Sequence, residues 1–208
     1  MDLIHKVASY SPVPAGGAAV ANSFCLAVAL IYKVVLFESE RNFHETGLGN
    51  NLMHVRKEIE GLLKDAERLV EEDSEAYMNF VKSRREYNPA LIKAHINAII
   101  DVSMGIMIKS EAAFKWIEQL QRIIPPQMAT HLLVAIELLM GAINGTVHVV
   151  RDNLKSIKSA DKRENYLQRI SSLHESYRRQ YTDIINRFSS ETEKPQPENS
   201  RIQDGTVT

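Results

Sequence analysis

One carboxylate stands where the hydrophobic pattern calls for an apolar side chain. Leu52, Val55, Ile59, Leu62, Ala66, Leu69, Asp73, Ala76 and Phe80 recur at steps of three and four residues, the spacing of one helical face. Burial raises a carboxyl's pKa unless a partner compensates, and a raised carboxyl exchanges protons near neutral pH as acid or base. A buried ion pair or hydrogen bond between helices would use the same position with no chemistry, and the stripe leaves both readings open. A second candidate is the run Pro12-Val13-Pro14-Ala15-Gly16-Gly17 ahead of an apolar helix. Free N–H groups and the dipole at such a terminus favour an anion. The run lacks the Lys-Ser/Thr ending of a P-loop and the spacing of a dinucleotide fingerprint, so a plain tight turn competes, with glycine supplying unusual dihedrals.

A third group lies in a later, otherwise apolar segment. Glu137, Gly141, Asn144, Gly145, His148 and Asp152 fall on one side of a helix. Small residues there either admit a ligand or let another helix approach. His148 and Asp152, four apart, suit a structural pair or two ligands of a metal, and two ligands without a third are weak evidence for a metal site. His131, shortly after Pro125-Pro126, is either an exposed or capping side chain or a catalyst. Cys25 sits among apolar residues with no basic neighbour to generate a thiolate, which points to packing.

These residues need long helices to hold them. The chain has no proline between Pro14 and Pro89 or between Pro126 and Pro195, so long helices are permitted over those spans. A short helix over about residues 2–8 leads into the Pro/Gly loop. A helix over about 17–40, apolar on nearly every face, should be central. Thr46-Gly47-Leu48-Gly49-Asn50-Asn51 reads as a break, followed by the Asp73 helix over about 52–85. Asn88-Pro89 opens a helix to about 123, with proline at its first turn where the lost donor is harmless and Gly105 as a kink point. Pro125-Pro126 begins another to about 157, and Asp161 with Glu164 makes a capping box for a last one. In that last helix His174, Tyr177 and Tyr181 share a core or interface face. From Ser189 the apolar pattern stops and two prolines appear, the composition of a tail. The expectation is an all-α bundle forming one domain over 1–188, with a tail over 189–208.

Composition narrows the function classes. Lys+Arg 25 against Asp+Glu 26 lacks the basic excess that phosphate-backbone binding shows, so nucleic acid is not an expected partner. A single cysteine excludes an intramolecular disulfide framework and fits a reducing, cytoplasmic setting. The apolar stretch over 18–37 contains Asn22, Ser23 and Lys33, which suits a core helix rather than a membrane span. The residues before it lack the basic leader of a signal peptide. The apolar surfaces of 17–37 and 127–157 exceed what one face of a small bundle requires, which predicts a homodimer.

Ser11-Pro12-Val13-Pro14-Ala15-Gly16-Gly17-Ala18-Ala19-Val20-Ala21 resembles the Ser-Pro-Thr-Pro-Gly-Gly-Gly-like loop and alanine-rich helix that open the cyclodeaminase domain of formiminotransferase-cyclodeaminase and the related methenyltetrahydrofolate cyclohydrolases. Asp73-Ser74-Glu75-Ala76-Tyr77 is similar to that family's Asp-x-x-Ala-Phe/Tyr-like motif. Gly141-Ala142 and Asn153-Leu154-Lys155-Ser156-Ile157 look like its later motifs, so the likeness covers about residues 2–160. Ala15 replaces the first of three glycines, and Thr130-His131 stands where the family has Ser-Asp.

The resemblance implies an all-α, commonly dimeric bundle with a folate cleft at the Pro/Gly loop. It also implies either ring closure of 5-formiminotetrahydrofolate with loss of ammonia or hydration of the 5,10-methenyl form, neither requiring a metal or redox cofactor. The ligand it implies is a tetrahydrofolate derivative, with a non-catalytic folate-binding or regulatory helical homologue as the alternative to an enzyme. Asp73 and His131 are the expected catalytic residues, and Pro14, Gly16, Gly17, Asn144 and His148 the expected substrate-binding ones.

Overall fold

The computed structural model describes residues 2–11, 14–41 and 46–192. These residues form six α-helices and, among the described residues, no strand: α1 (Asp2–Val7), α2 (Gly16–Arg41), α3 (Thr46–Arg85), α4 (Pro89–Gln121), α5 (Pro126–Leu154) and α6 (Ala160–Thr192). The all-α expectation holds.

Cross-helix contacts fix the directions. Gly17 faces Asp73 near the start of α2, whereas Cys25 feels the charge of Glu67 and Tyr32 that of Lys64, so α2 and α3 run antiparallel. Gly105 faces Leu69 and Lys109 pairs with Asp65, which makes α3 and α4 antiparallel as well. Asn144 meets His174 and Glu137 meets Tyr181, reversing α6 relative to α5. The short connection from α4 to α5 turns that pair likewise. The N-termini of α2, α4 and α6 therefore share one end of the bundle with the C-termini of α3 and α5.

The core is built where apolar stripes of these helices meet. Helix α2 packs on α3, α4 and α5 and buries Ala21, Phe24, Val28, Ile31 and Val35. Gly145 of α5 allows close approach: a Cβ there would come within 2.5 Å of Val20 Cγ2 of α2. Leu132, Ile136, Leu139 and Ile143 of α5 and Ile100, Met107, Phe114 and Ile117 of α4 fill the remaining space. Each such side chain is worth roughly 1.5–3 kcal/mol when fully buried. Helix α6 closes the bundle through Tyr177, which stacks on Phe114 at 5.3 Å between ring centroids and donates to the Met107 carbonyl at 2.7 Å. Burial pushes the Tyr177 hydroxyl pKa up to about 12.

The junction of α3 and α4 is a reciprocal cap. The Asn88 amide donates to Ser83 O and the Tyr87 amide to Arg84 O, a Schellman closure with Tyr87 at φ 52° in the position glycine usually takes. Asn88 then accepts from the Leu91 amide at 3.2 Å as the N-cap of α4.

Several expected boundaries shift. Helix α3 already begins at Thr46, so the Gly/Asn stretch is helix and not a break; tertiary packing of a 40-residue helix outweighs the propensity of a few residues at its end. Helix α4 runs unbroken through Gly105, whose missing Cβ instead makes room for Leu69 Cδ2, 2.9 Å from where that Cβ would stand. The cap of α6 is Ser159, whose hydroxyl accepts from the Lys162 amide at 3.3 Å, two residues before the expected Asp161. Helix α6 continues to Thr192, past the expected tail start at Ser189, and the rest of that tail lies outside the described residues.

Among the described residues three helices, α2, α4 and α5, are long and apolar enough to cross a membrane by length and composition. In the sequence only the first of these stands out as an apolar stretch of spanning length. Within the bundle, 39% of the most apolar stretch of α2 is buried, leaving apolar surface on its outer side.

Candidate active site

Asp73 and Gly17 meet at the shared end of the bundle. Gly17 belongs to the first turn of α2, and a Cβ there would overlap Asp73 Oδ1 and lie 2.9 Å from both Cγ and Oδ2. No glycine among the described residues has positive φ. The glycine here therefore serves the close approach of a carboxylate, not the unusual dihedral that the loop suggested. Gly16, one residue earlier, is exposed and faces open space, and Pro14 is half-buried beside it. Pro12 and Val13 lie outside the described residues.

Asp73 retains only 5% of its exposure, and no hydrogen bond or ion pair reaches it among the described residues. The competing reading of an interhelical ion pair or hydrogen bond finds no partner there. Desolvation alone raises its pKa from 3.8 to about 6. An acid of that strength changes protonation near neutral pH, which suits general acid–base work.

The other expected site residues are placed differently. Ser23 donates to the Leu138 carbonyl at 2.9 Å and Val20 packs on Gly145, so residue numbers fall along α5 as they rise along α2. Continuing that register sets His131 near Ile31, about 20 Å along α2 from Gly17 at 1.5 Å per residue. The structure thus does not bring His131 to Asp73 within one chain. His131 is half-buried, and its Nδ1 is buried without a hydrogen-bond partner.

The same register brings His148 level with the start of α2, but its face and that of Asn144 turn toward α6. Asn144 Oδ1 is bonded to His174 Nε2 at 2.8 Å. His148 adds a like-charge effect to His174, whose pKa is lowered chiefly by desolvation. The expected pair of His148 with Asp152 is not formed; Asp152 instead bonds Lys155 at 2.8 Å on the surface. The small residues of this stripe divide in purpose: Gly145 admits Val20, whereas Gly141 has only Ser23 Oγ, 4.0 Å from a would-be Cβ. Among the described residues no group of three or more His, Cys, Asp or Glu side chains is arranged to hold a metal. Burial raises the Cys25 pKa, in keeping with a packing role.

A family model described as Formiminotransferase-cyclodeaminase matches residues 1–172. The chain belongs to this family. A formiminotransferase-cyclodeaminase fold is also what the tertiary structure shows. The crystal structure of formiminotetrahydrofolate cyclodeaminase from Thermotoga maritima superposes with a TM-score of 0.79 at 19% identity, over 89% of this chain and 93% of that one. No curated protein sequence matches the chain. Gly17 and Asp73 belong to the two segments of the sequence that resemble this family.

Proposed function

We propose that the protein is a folate one-carbon enzyme that closes 5-formiminotetrahydrofolate to the 5,10-methenyl form with release of ammonia. One observation carries this reading: a carboxyl of pKa about 6, without a partner among the described residues, sits against the glycine at the start of α2. Ring closure expels an amine that must leave protonated, and the product is a cation. An Asp73 carboxylic acid supplies the proton, and the carboxylate left behind stabilises the cationic one-carbon unit. Gly16, open on its outer side, leaves room for the ligand next to this group. Hydration of the methenyl form needs the reverse use of the same carboxylate, as base toward water. Following methenyl absorbance from either substrate distinguishes the two directions.

A non-catalytic folate-binding role is the second reading, and the position of His131 favours it. With Thr130-His131 in place of the family's Ser-Asp and far from Asp73 in the same chain, no second acid or base among the described residues bonds or pairs with Asp73. Turnover of a reduced folate by purified protein supports the first reading, and binding without turnover the second.

We further propose that the working form is a homodimer. A shallow apolar groove runs along α1, α2 and α5, lined by Leu3, Ile4, Val7, Leu26 and Leu138 and continuing past Leu133 and Val134. Leu26 is 57% and Ile4 74% exposed. The polar outer positions of α5, Glu137, Asn144, His148 and Arg151, flank this strip and suit a second copy of the chain better than lipid. Sedimentation at micromolar concentration tests this: a dimer supports the proposal and a monomer alone contradicts it.

A further inference from the structure

A cleft of about 830 Å³ opens at the same end of the bundle as Asp73, between the last turns of α3, the first turns of α4 and the α5–α6 connection. Phe80, Ile96 and Ile157 give it an apolar floor. Arg84, Lys93, Lys158 and Lys162 stand around it, and among the described residues no acidic side chain lines it. None of the four cations forms an ion pair among the described residues. Lys162 donates to Asn97 Oδ1 at 2.9 Å, and the Arg84 guanidinium lies 5.9 Å from the Phe80 ring centre.

Four converging like charges without counter-charges repel one another, a cost that an anionic ligand removes. This gathering is notable in a chain whose overall charge is -1. It was invisible to pattern reading because the cations come from α3, α4, α6 and a connection, with no motif spacing among them. Phe80 lies two turns beyond Asp73 on the same stripe of α3, about 10 Å along the axis at 1.5 Å per residue. A ligand spanning both places is elongated, with an apolar middle and an anionic end.

We propose that this cleft binds the aminobenzoyl-glutamate end of the reduced folate, with its two carboxylates paired to the four cations and its ring covering the apolar floor. The proposal rests on the folate reading above, which places the reacting end at Asp73. Arg84 offers a planar fork suited to a carboxylate, and the lysines act as point charges around it.

Isothermal titration of the full chain with p-aminobenzoyl-glutamate at low salt tests the cleft without requiring turnover. The wild type should bind it, and Arg84→Ala and Lys158→Ala should each weaken binding by about tenfold, the worth of one charge-assisted hydrogen bond. Arg84→Lys should retain part of the affinity, Lys64→Ala on the outer face of α3 all of it, and the uncharged diamide of the probe should not bind. Melting curves identify any variant that fails to fold, and the double variant Lys93→Gln/Lys158→Gln supplies a second reading of the same charges. No binding by wild type, equal affinity in folded cleft variants, or equal binding of the diamide overturns the proposal. If the probe depends on these cations while the protein converts neither 5-formimino- nor 5,10-methenyltetrahydrofolate, the cleft stands and the catalytic reading falls. If the protein turns over folate with an unchanged KM in the cleft variants, the cleft falls alone.

Discussion

Gly17 and Asp73 are complementary in shape: the carboxyl occupies the volume that a side chain at Gly17 would need, with its Cγ 2.9 Å from the would-be Cβ. A buried carboxyl thus touches the first turn of a helix without a hydrogen bond to it. Both residues lose something by this arrangement, since glycine weakens the helix and the carboxyl is held in a desolvated place. Such a local conflict between stability and structure is expected where function requires it.

Gly17→Ala should destabilise the protein by about 1–3 kcal/mol, the usual cost of overpacking, despite the better helix propensity of alanine. The double variant Gly17→Ala/Asp73→Ala should recover much of that loss, because the second change removes the overlapping atoms. Denaturant midpoints of the four proteins check this, and equal midpoints for wild type and Gly17→Ala would show that the carboxyl moves aside freely.

Asp73→Asn should stabilise the fold at neutral pH. The folded-state pKa of Asp73, about 6, lies above its ordinary value of 3.8, so the native state binds the proton more tightly than the unfolded chain. Its contribution to stability is therefore full below about pH 4, falls as pH rises toward 6 and stays low above that. Removing the ionisation should raise stability at pH 7 by about 1–3 kcal/mol after allowing for residual solvent access. Melting temperatures of both proteins from pH 4 to pH 8 should diverge over this window. A lower melting temperature for the variant throughout would assign Asp73 a purely structural role.

The two glycines of α5 should behave oppositely. Gly145→Ala forces Val20 to shift, because the new Cβ would come within 2.5 Å of Val20 Cγ2, whereas Gly141→Ala enters open space. The expected changes are a loss of about 1–3 kcal/mol for Gly145→Ala and a gain of about 0.5–1 kcal/mol for Gly141→Ala in the monomer fold. Equal effects in urea unfolding would contradict this division.

Tyr87→Gly should raise stability by about 1 kcal/mol, since a residue with a Cβ is strained in the left-handed region and glycine is not. An unchanged unfolding midpoint would show that the exposed tyrosine ring compensates for its backbone.

The long helices and the buried aspartate were legible in the sequence for a physical reason. Apolar residues at three- and four-residue steps need no knowledge of their partners, so the Asp73 stripe, the Asn88-Pro89 start and the Pro125-Pro126 boundary lie where the pattern puts them. What depends on another helix was not legible. Gly17, Gly105 and Gly145 read as conformational freedom, a kink and generic small space, yet each admits one particular side chain from a neighbouring helix. Likewise His131 stands in a motif position of interest along the chain, but the antiparallel register of α2 and α5 carries it to a level far from Asp73. Ser159 was passed over for the stronger Asp161–Glu164 pattern, because cap choice depends on where the preceding connection releases the chain.

The pH dependence of methenyl formation from 5-formiminotetrahydrofolate, measured in wild type and Asp73→Asn, tests the central claim most directly. The account predicts a wild-type rate governed by one group titrating near pH 6 and a fall in kcat of at least about a hundredfold in a fully folded variant, the typical worth of a general acid or base. Undiminished kcat and an unaltered pH profile in Asp73→Asn would contradict it.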